Sequence, residues 1–513
     1  MSGERKGIRM KRTEISQPQN RPDLLIVVAD QWRGDVMGHL GNPAAITPNL
    51  DALVQSEAVS FSQAYCQNPV CTPSRCSFMS GWYPHVHGHR TMYHMLQPGE
   101  PMLLKDLKDA GYFVWWGGKN DVVPGQYGYS TYCDVHFWST TQIKRPMRAD
   151  LHSSSDWRGD PGSDTFYSFF YGKIEKPTDF PVDEPFVYDA EWHTVFGAID
   201  QIQHAPQGQP LCVYLALGYP HPPYAVEEPW FSQVRREQLP SRIPAPLDWH
   251  GKPSILRGIA ERQNLQNWSE ERWTELRATY YGMCARVDYQ VGLIVNALKA
   301  SGRYDRTALF FFADHGDFTG DYGLVEKTQN TFEDCLTRVP LIIKPPAGME
   351  RQPGICNALV ELVDFRATVE EWVGLVPGYD HFGRSLLPLI RGEVIEHRPA
   401  VFCEGGRLRD ERQAMELESD QSPEGLYWPR LNVQSGDGPE HTKATMCRTH
   451  DFKYVHRLYE QDELYDLVND PHELHNRIDE PGLDQVRGQL KDLLLDFYLS
   501  TADVVPMKVD QRW

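Results

Sequence analysis

The chain has 513 residues, 41% of them hydrophobic and 24% charged, and its formal net charge is −19. That length supports a sizeable core and more than one folding unit. The acidic balance excludes a general affinity for nucleic acid, so an anionic substrate has to meet cations placed locally. No apolar run approaches the length that a bilayer demands, which excludes a membrane-spanning protein.

The N-terminal stretch MSGERKGIRMKRTEISQPQNR is basic but has neither an apolar core nor a small-residue cleavage site. It predicts a disordered lead-in over 1–21 and a cytoplasmic protein. The ten cysteines, Cys66, Cys71, Cys76, Cys133, Cys212, Cys284, Cys335, Cys356, Cys403 and Cys447, lack paired spacing and read as reduced thiols.

Five unalternating apolar runs follow: LLIVVAD (24–30), FVWWGGK (113–119), LCVYLALGYPH (211–221), TALFFFADHGD (307–317) and VPLIIKPP (339–346). They predict strands of a large, mostly parallel sheet buried on both faces. Helical patterns lie between them. TPNLDALVQSEAV has Thr47 at the N-cap and Pro48 at the first helical position, and LLKDLKDAGY closes on Gly111. SEERWTELRATYYGMCARVDYQVGLIVNALKASG reads as a long amphipathic helix. The expected class is therefore α/β, with helices flanking the sheet.

Asp30, Lys119, His221, Asp314 and His315 all fall at C-terminal strand ends, the rim where open α/β sheets collect ligands. Two aromatic- and proline-rich stretches, about 125–205 and 225–275, read as insertions over that rim. A catalytic unit over 22–395 and a smaller C-terminal α+β unit with an antiparallel sheet over 396–513 are expected. No repeats or low-complexity tracts interrupt the chain.

Asp30, Gln31, Asp314 and His315 would form a mostly oxygen cage, suited to a hard divalent ion such as calcium, magnesium or manganese. Cys71 in NPVCTPSRCSFMSG stands where Pro73 sets a turn and a helix can begin, a position that predicts an acidic, reactive thiol. A buried structural cysteine is the plain alternative, and Cys66 and Cys76 also allow a metal or disulfide reading. Thiolate is a poor ligand for a hard ion, so the sulfur calls for modification.

CTPSRCSFMSG resembles the sulfatase signature CxPSRxxxLTG, departing from it at Met79 and Ser80. VVADQWRGD, GGK, YPHPPY, FFADHGD, GLVEKTQNTFEDCLTRVPLII and ELYDLVNDPHE look like the corresponding sulfatase segments, so the resemblance spans about 22–480. It extends to phosphonate monoester hydrolases of the same alkaline phosphatase superfamily. It implies that a maturation enzyme oxidises Cys71 to formylglycine, whose hydrate attacks sulfur with one hydroxyl and expels sulfate with the other. It also implies a divalent metal at Asp30, Gln31, position 71, Asp314 and His315, with Ca2+ favoured and Mn2+ or Mg2+ as rivals. Arg75 would orient position 71, Lys119 and Lys327 would clamp the sulfate, and His221 would contact it and, directly or with Lys327, protonate the leaving group.

The family pattern GKxH is broken by Asp121 in GKND, leaving a nucleophile partner to be sought among His85, His87 and His89 or elsewhere. Gln31 replaces the second aspartate of many sulfatases. Taken singly, Asp30 and Asp314 read as helix N-caps, Lys327 as a surface lysine, and Tyr127, Tyr129, Tyr132, Phe137 and Trp138 as core rather than a sugar platform.

The expected function is metal-dependent hydrolysis of a small or oligomeric sulfate ester on a sugar or organic alcohol. The alternative is phosphonate monoester or phosphodiester hydrolysis by the same aldehyde. A catalytically silent binding protein that keeps the cation site is the reading from another class. Nucleic acid and membrane are not expected as partners, and oligomerisation is left open.

Overall fold

In the computed structural model, residues 21–139, 170–174, 189–419, 421–423, 425 and 427–512 are described. The expected lead-in up to residue 20 and much of the first insertion lie outside them. In chain order the strands are β1 (Asp23–Ala29), β2 (Val59–Tyr65), β3 (Phe113–Gly118), β4 (Val135–Phe137), β5 (Phe170–Ile174), β6 (Leu211–Ala216), β7 (Tyr224–Glu227) and β8 (Thr307–Ala313). They continue as β9 (Arg338–Val339), β10 (Leu341–Lys344), β11 (Gly354–Glu361), β12 (Val401–Gly405), β13 (Ala444–Arg448), β14 (Phe452–Arg457) and β15 (Glu463–Asp466).

The main sheet runs β11-β2-β10-β8-β1-β6-β3-β4, with β9 paired to β2. Its centre is parallel: β1 lies between β6 and β8, and β6 also pairs with β3. All five expected apolar runs form strands of this sheet. The fifth, β10, runs antiparallel to both β8 and β2, because the loop after β8 returns without a crossover helix. Three members escaped the sequence reading: β4 lies within the stretch read as the first insertion, and β2 and β11 have broken apolar patterns. β2 (VSFSQAY) interleaves serines and a glutamine near the sheet edge, and β11 begins on partly exposed residues before its buried half.

Helix Pro48–Ser56 starts after Thr47, but the cap bond comes from elsewhere. The Thr47 hydroxyl is engaged by Asp51 and Gly38, while Asp288 accepts from the amides of Asn49 (3.1 Å) and Leu50 (2.8 Å). Asp288 belongs to the long helix Glu270–Ala300, so one carboxylate both caps the short helix and ties it to the long one. The long helix differs from its amphipathic expectation: Leu276 to Asp288 is buried throughout, because helix Ala190–Gln203 and β7 cover its outer side.

Helix Cys71–Ser80 is also buried along its whole length. Phe78 packs edge-on against Phe312 of β8 (5.0 Å) and Phe365 (6.1 Å), which fixes the helix over the parallel centre and points its N-terminus at the rim. The second insertion lays Ile255, Leu256 and Ile259 on Phe318, Tyr322 and Leu324, bracing the loop that follows β8.

The expected C-terminal antiparallel sheet is β12-β13-β14-β15, backed by helix Asp484–Thr501. Phe497 of that helix stacks on Phe402 at 4.0 Å and meets Tyr83 edge-on at 4.7 Å. All ten cysteines are unpaired and nine are buried. Among the described residues no helix is long and apolar enough to cross a membrane.

Candidate active site

The register of β1 against β8 places Ala29 opposite Ala313, so Asp30 and Asp314 emerge side by side from the two central strands. The Asp314 amide donates to the Ala29 carbonyl (3.2 Å), carrying the pairing one step past both strands. β3 delivers Lys119 from two strands away. Its last residue, Gly118, has φ +88°, and a Cβ there would lie 2.0 Å from the Ala216 carbonyl oxygen. Only glycine permits this approach, which lets the Lys119 amide bond Ala216 O (2.8 Å) while the side chain turns to Asp30.

Arg75, one helical turn after Cys71, is fully buried beneath the two aspartates. Its Nε donates to Asp314 Oδ2 (2.8 Å) and its Nη2 to Asp30 Oδ2 (3.0 Å). Both carboxylates are thereby turned so that each Oδ1 faces the same space. Asp30 Oδ1 and Asp314 Oδ1 lie 3.8 and 3.7 Å from His315 Nε2, and Cys71 Sγ lies 3.2 Å from that nitrogen and 3.5 Å from Asp30 Oδ1. His315 Nδ1 donates to the Gly316 carbonyl (2.9 Å), which leaves the Nε2 lone pair directed at the cluster.

Ligand atoms of Asp30, Cys71, Asp314 and His315 thus lie within 4.8 Å of one another, all on buried residues. Two carboxylates and one neutral imidazole nitrogen form a donor set that fits a hard divalent cation. Gln31, expected among the ligands, has a different side-chain environment. Its amide oxygen accepts from Lys327 Nζ (2.5 Å), and its amide nitrogen donates to Asp317 and, at 3.4 Å, to Glu326. Gln31 therefore joins the cation Lys327 to the back of the cluster.

Three non-glycine residues around the cluster have left-handed backbone: Gln31 (φ 69°), Asp121 (φ 46°) and Glu326 (φ 72°). Each adjoins or nearly adjoins a charged group of the cluster, namely Asp30, Lys119 and Lys327. Strain of this kind survives where surrounding contacts over-determine the conformation. Asp121, which stands in place of the family histidine, pairs with Lys119 at 2.9 Å, and Lys119 in turn reaches Asp30 Oδ2 at 2.5 Å. His85, His87 and His89 are engaged elsewhere, the first by Glu404 and the other two by Glu100.

Burial alone would raise the Asp30 carboxyl, but the cations Lys119, Arg75 and Lys327 hold it well below the ordinary range. Burial opposes the charge on Lys119 too, yet Asp121 and Asp30 push its pKa well above normal. Both groups are ionised. The expectation of an acidic Cys71 thiol fails: burial first, and the Asp30 carboxylate second, push it up to about 12. These effects outweigh the helix N-terminus and the two lysines, so the unmodified side chain is a protonated thiol and a weak nucleophile.

His221 extends from the loop after β6, with Nδ1 2.6 Å from the Pro222 carbonyl and Nε2 2.8 Å from the hydroxyl of Tyr427. Burial and then Lys327 hold its pKa well below the usual histidine value, so the imidazole is neutral. Tyr427 escaped the sequence reading because it lies in an irregular C-terminal stretch with no motif. Of the aromatic group weighed as core or platform, Tyr127 and Trp138 are exposed while Tyr132 is buried.

A model of the sulfatase family matches residues 22–375, and the chain belongs to that family. Its curated relatives include the multifunctional alkaline phosphatase superfamily protein PehA of Trinickia caryophylli, 27% identical over 94% of this chain and 96% of its own. The choline-sulfatase of Rhizobium meliloti is 27% identical over 90% of this chain and 83% of its own. Among solved structures, the phosphonate monoester hydrolase of Agrobacterium radiobacter shares the fold with a TM-score of 0.72 at 24% identity, covering 94% of this chain and 96% of that one.

Proposed function

We propose that this sulfatase-family hydrolase cleaves a sulfate ester of a carbohydrate or small organic alcohol, using formylglycine made from Cys71 and a bound divalent cation. The observation that carries this reading is the convergence of Cys71 Sγ with Asp30, Asp314 and His315 inside a ring of Arg75, Lys119 and Lys327. A metal bound there supplies Lewis acidity and favours ionisation of a hydroxyl at position 71. The modification supplies that hydroxyl, which a thiol pushed up to about 12 does not replace.

The chain's own groups divide the remaining work. Arg75 holds both aspartates in the orientation that aims their Oδ1 atoms together. Lys119, with its Nζ 3.4 Å from Cys71 Sγ, and Lys327 offer positive charge to the anionic head of the ester, where negative charge grows as the bond to the leaving group breaks. Ca2+ is the favoured ion for the donor set, with Mn2+ and Mg2+ as rivals. The cytoplasm is the proposed location, and a formylglycine-generating enzyme is the proposed maturation partner.

Phosphonate monoester or phosphodiester hydrolysis is a second reading, supported by the fold shared with the phosphonate monoester hydrolase of Agrobacterium radiobacter, and Gln31 is compatible with both readings. With an amide in place of a second carboxylate there, the site carries one negative charge fewer, and sulfate monoesters, phosphonate monoesters and phosphodiesters all present one negative charge to it. Matched 4-nitrophenyl sulfate, phenylphosphonate and phosphodiester assays decide between them, after chelation and readdition of Ca2+, Mn2+ or Mg2+, with the mass of the residue-71 peptide determined alongside. Highest kcat/KM on the sulfate supports the first reading, and clear preference for a phosphorus ester replaces it with the second.

A further inference from the structure

Tyr427 lies beyond the family-matched span of 22–375, and family likeness assigns it no part in the chemistry. The geometry gives it one. Its hydroxyl is 2.8 Å from His221 Nε2, while His221 Nδ1 faces the Pro222 carbonyl at 2.6 Å. A carbonyl oxygen only accepts, so the imidazole hydrogen sits on Nδ1, and in the neutral ring Nε2 is an acceptor. The hydrogen between the two side chains therefore belongs to the phenol. Neutral His221 has no proton to offer on the side facing Tyr427.

The phenol is fixed as well as placed. Lys327 Nζ and Arg430 Cζ each lie 5.5 Å from the ring centroid. Arg430 bonds Glu416 (3.2 Å), Glu416 accepts from the Met92 amide (3.0 Å), and the Met92 carbonyl accepts from Thr72 (3.3 Å), next to Cys71. The segment carrying Tyr427 is thus tied to the start of the reactive helix. Burial first, then the fields of Lys327, Glu326, Lys119 and Cys71, set the pKa of the Tyr427 hydroxyl above the ordinary tyrosine value and keep it protonated, with His221 and Arg430 the other titratable or charged groups against it.

On the reading of this site as an anionic-ester hydrolase, we propose that Tyr427 is a catalytic residue of the leaving-group side. Its hydroxyl moves from His221 Nε2 to the bridging ester oxygen when substrate binds, and donates a hydrogen bond that strengthens as the oxygen gains charge. No proton transfer from Tyr427 is required. Such a bond matters most when the departing alkoxide or phenoxide is basic, and least when the leaving group delocalises its own charge.

Tyr427→Phe is tested on 4-nitrophenyl, phenyl and 4-methoxyphenyl sulfate, which differ little in shape but widely in leaving-group basicity. Residue-71 modification, metal content and Tm are matched to the wild type. A loss in kcat/KM of about 10-fold or more on the 4-methoxyphenyl ester, against less than about 3-fold on the 4-nitrophenyl ester, is the expected result. Equal losses on all three esters, or no loss on any, overturn the proposal. A wild type that cleaves none of them while cleaving a phosphonate ester moves the same test to phosphonate aryl esters. A wild type inactive on both classes overturns the reading of the site, and this inference with it.

Discussion

Two clusters of buried charge can be set side by side, one at the rim of the large sheet and one beneath the C-terminal sheet. Under the C-terminal sheet, Asp334 receives Arg448 at both oxygens (3.2 and 3.1 Å) and Lys453 at 2.7 Å, Lys453 also meets Glu473, and Lys252 lies 3.7 Å from Glu333. Three acids face three bases, so the charges balance within the cluster, with Lys252 Nζ and Glu333 Oε2 held by charge alone and without a hydrogen-bond partner among the described residues. At the rim, Arg75 and Lys119 use the outer oxygens of Asp30 and Asp314, Asp314 Oδ1 accepts from the amides of Gln31 and His315, and the inner oxygens, an imidazole lone pair and position 71 converge on one small space. Arg75 Nη1 is buried there without a hydrogen-bond partner. Buried charge thus serves two ends: groups that balance one another across elements join parts of the fold, and groups whose free faces converge on one space make room for a reaction.

Substitutions that separate the two clusters test this contrast. Cys71→Ala is expected to lower kcat by roughly 10⁴-fold or more, because no other group at the rim replaces the nucleophile, while Tm stays near that of the wild type. Lys453→Met should do the reverse. Leaving Asp334 and Glu473 short of a buried cation costs about 3–5 kcal/mol of unfolding free energy in denaturant titration, while kcat per folded molecule is kept. If Lys453→Met lowers kcat as much as it lowers stability, the clusters are not separable. Lys119→Ala and Lys327→Ala are each expected to reduce kcat/KM by about 10²–10³-fold, as loss of one charge-stabilising donor does.

The smallest expected effect concerns Asp288, which burial raises to about 6 from an ordinary carboxyl value. Its folded pKa exceeds its unfolded one, so its contribution to stability is complete below the unfolded value and is lost as pH rises through about 6. Asp288→Asn removes that titration. Melting curves recorded from pH 4 to 7 should show a flatter decline than the wild type, with a Tm difference of a few degrees at the ends of the range.

The parallel centre of the sheet was legible because LLIVVAD, LCVYLAL and TALFFFAD lack polar alternation, as strands covered on both faces must. β2 and β11 were not, since β11 at the edge and β2 beside it let serine, glutamine and asparagine into the pattern. At the rim, the residues at strand ends could be placed in advance because strand ends are set by local sequence. The orientation of Gln31 toward Lys327 and the pairing of Asp121 with Lys119 depend on left-handed backbone, and that conformation at non-glycine residues has no local sequence signal. Tyr427 was out of reach for another reason: its contact with His221 joins residues 206 positions apart. The acidity expected of the Cys71 thiol does not survive folding, because a helix N-terminus is a weak field beside complete burial and a carboxylate 3.5 Å away.

The complete enclosure of residue 71, with an exposure of 0%, has a consequence for the order of events during synthesis. The walls that enclose it include His315, 244 residues further along the chain. A ribosome adding 5–20 residues per second takes roughly 10–50 s to reach that point after the cysteine is made, and for that interval the thiol lies on an unfinished polypeptide with no wall on that side. A catalyst as large as a protein has that window in which to act. Full-length, folded protein that still bears the thiol should therefore keep it when mixed with the proposed formylglycine-generating enzyme, whereas nascent chains stalled before β8 should be converted, a difference that peptide mass spectrometry reads directly.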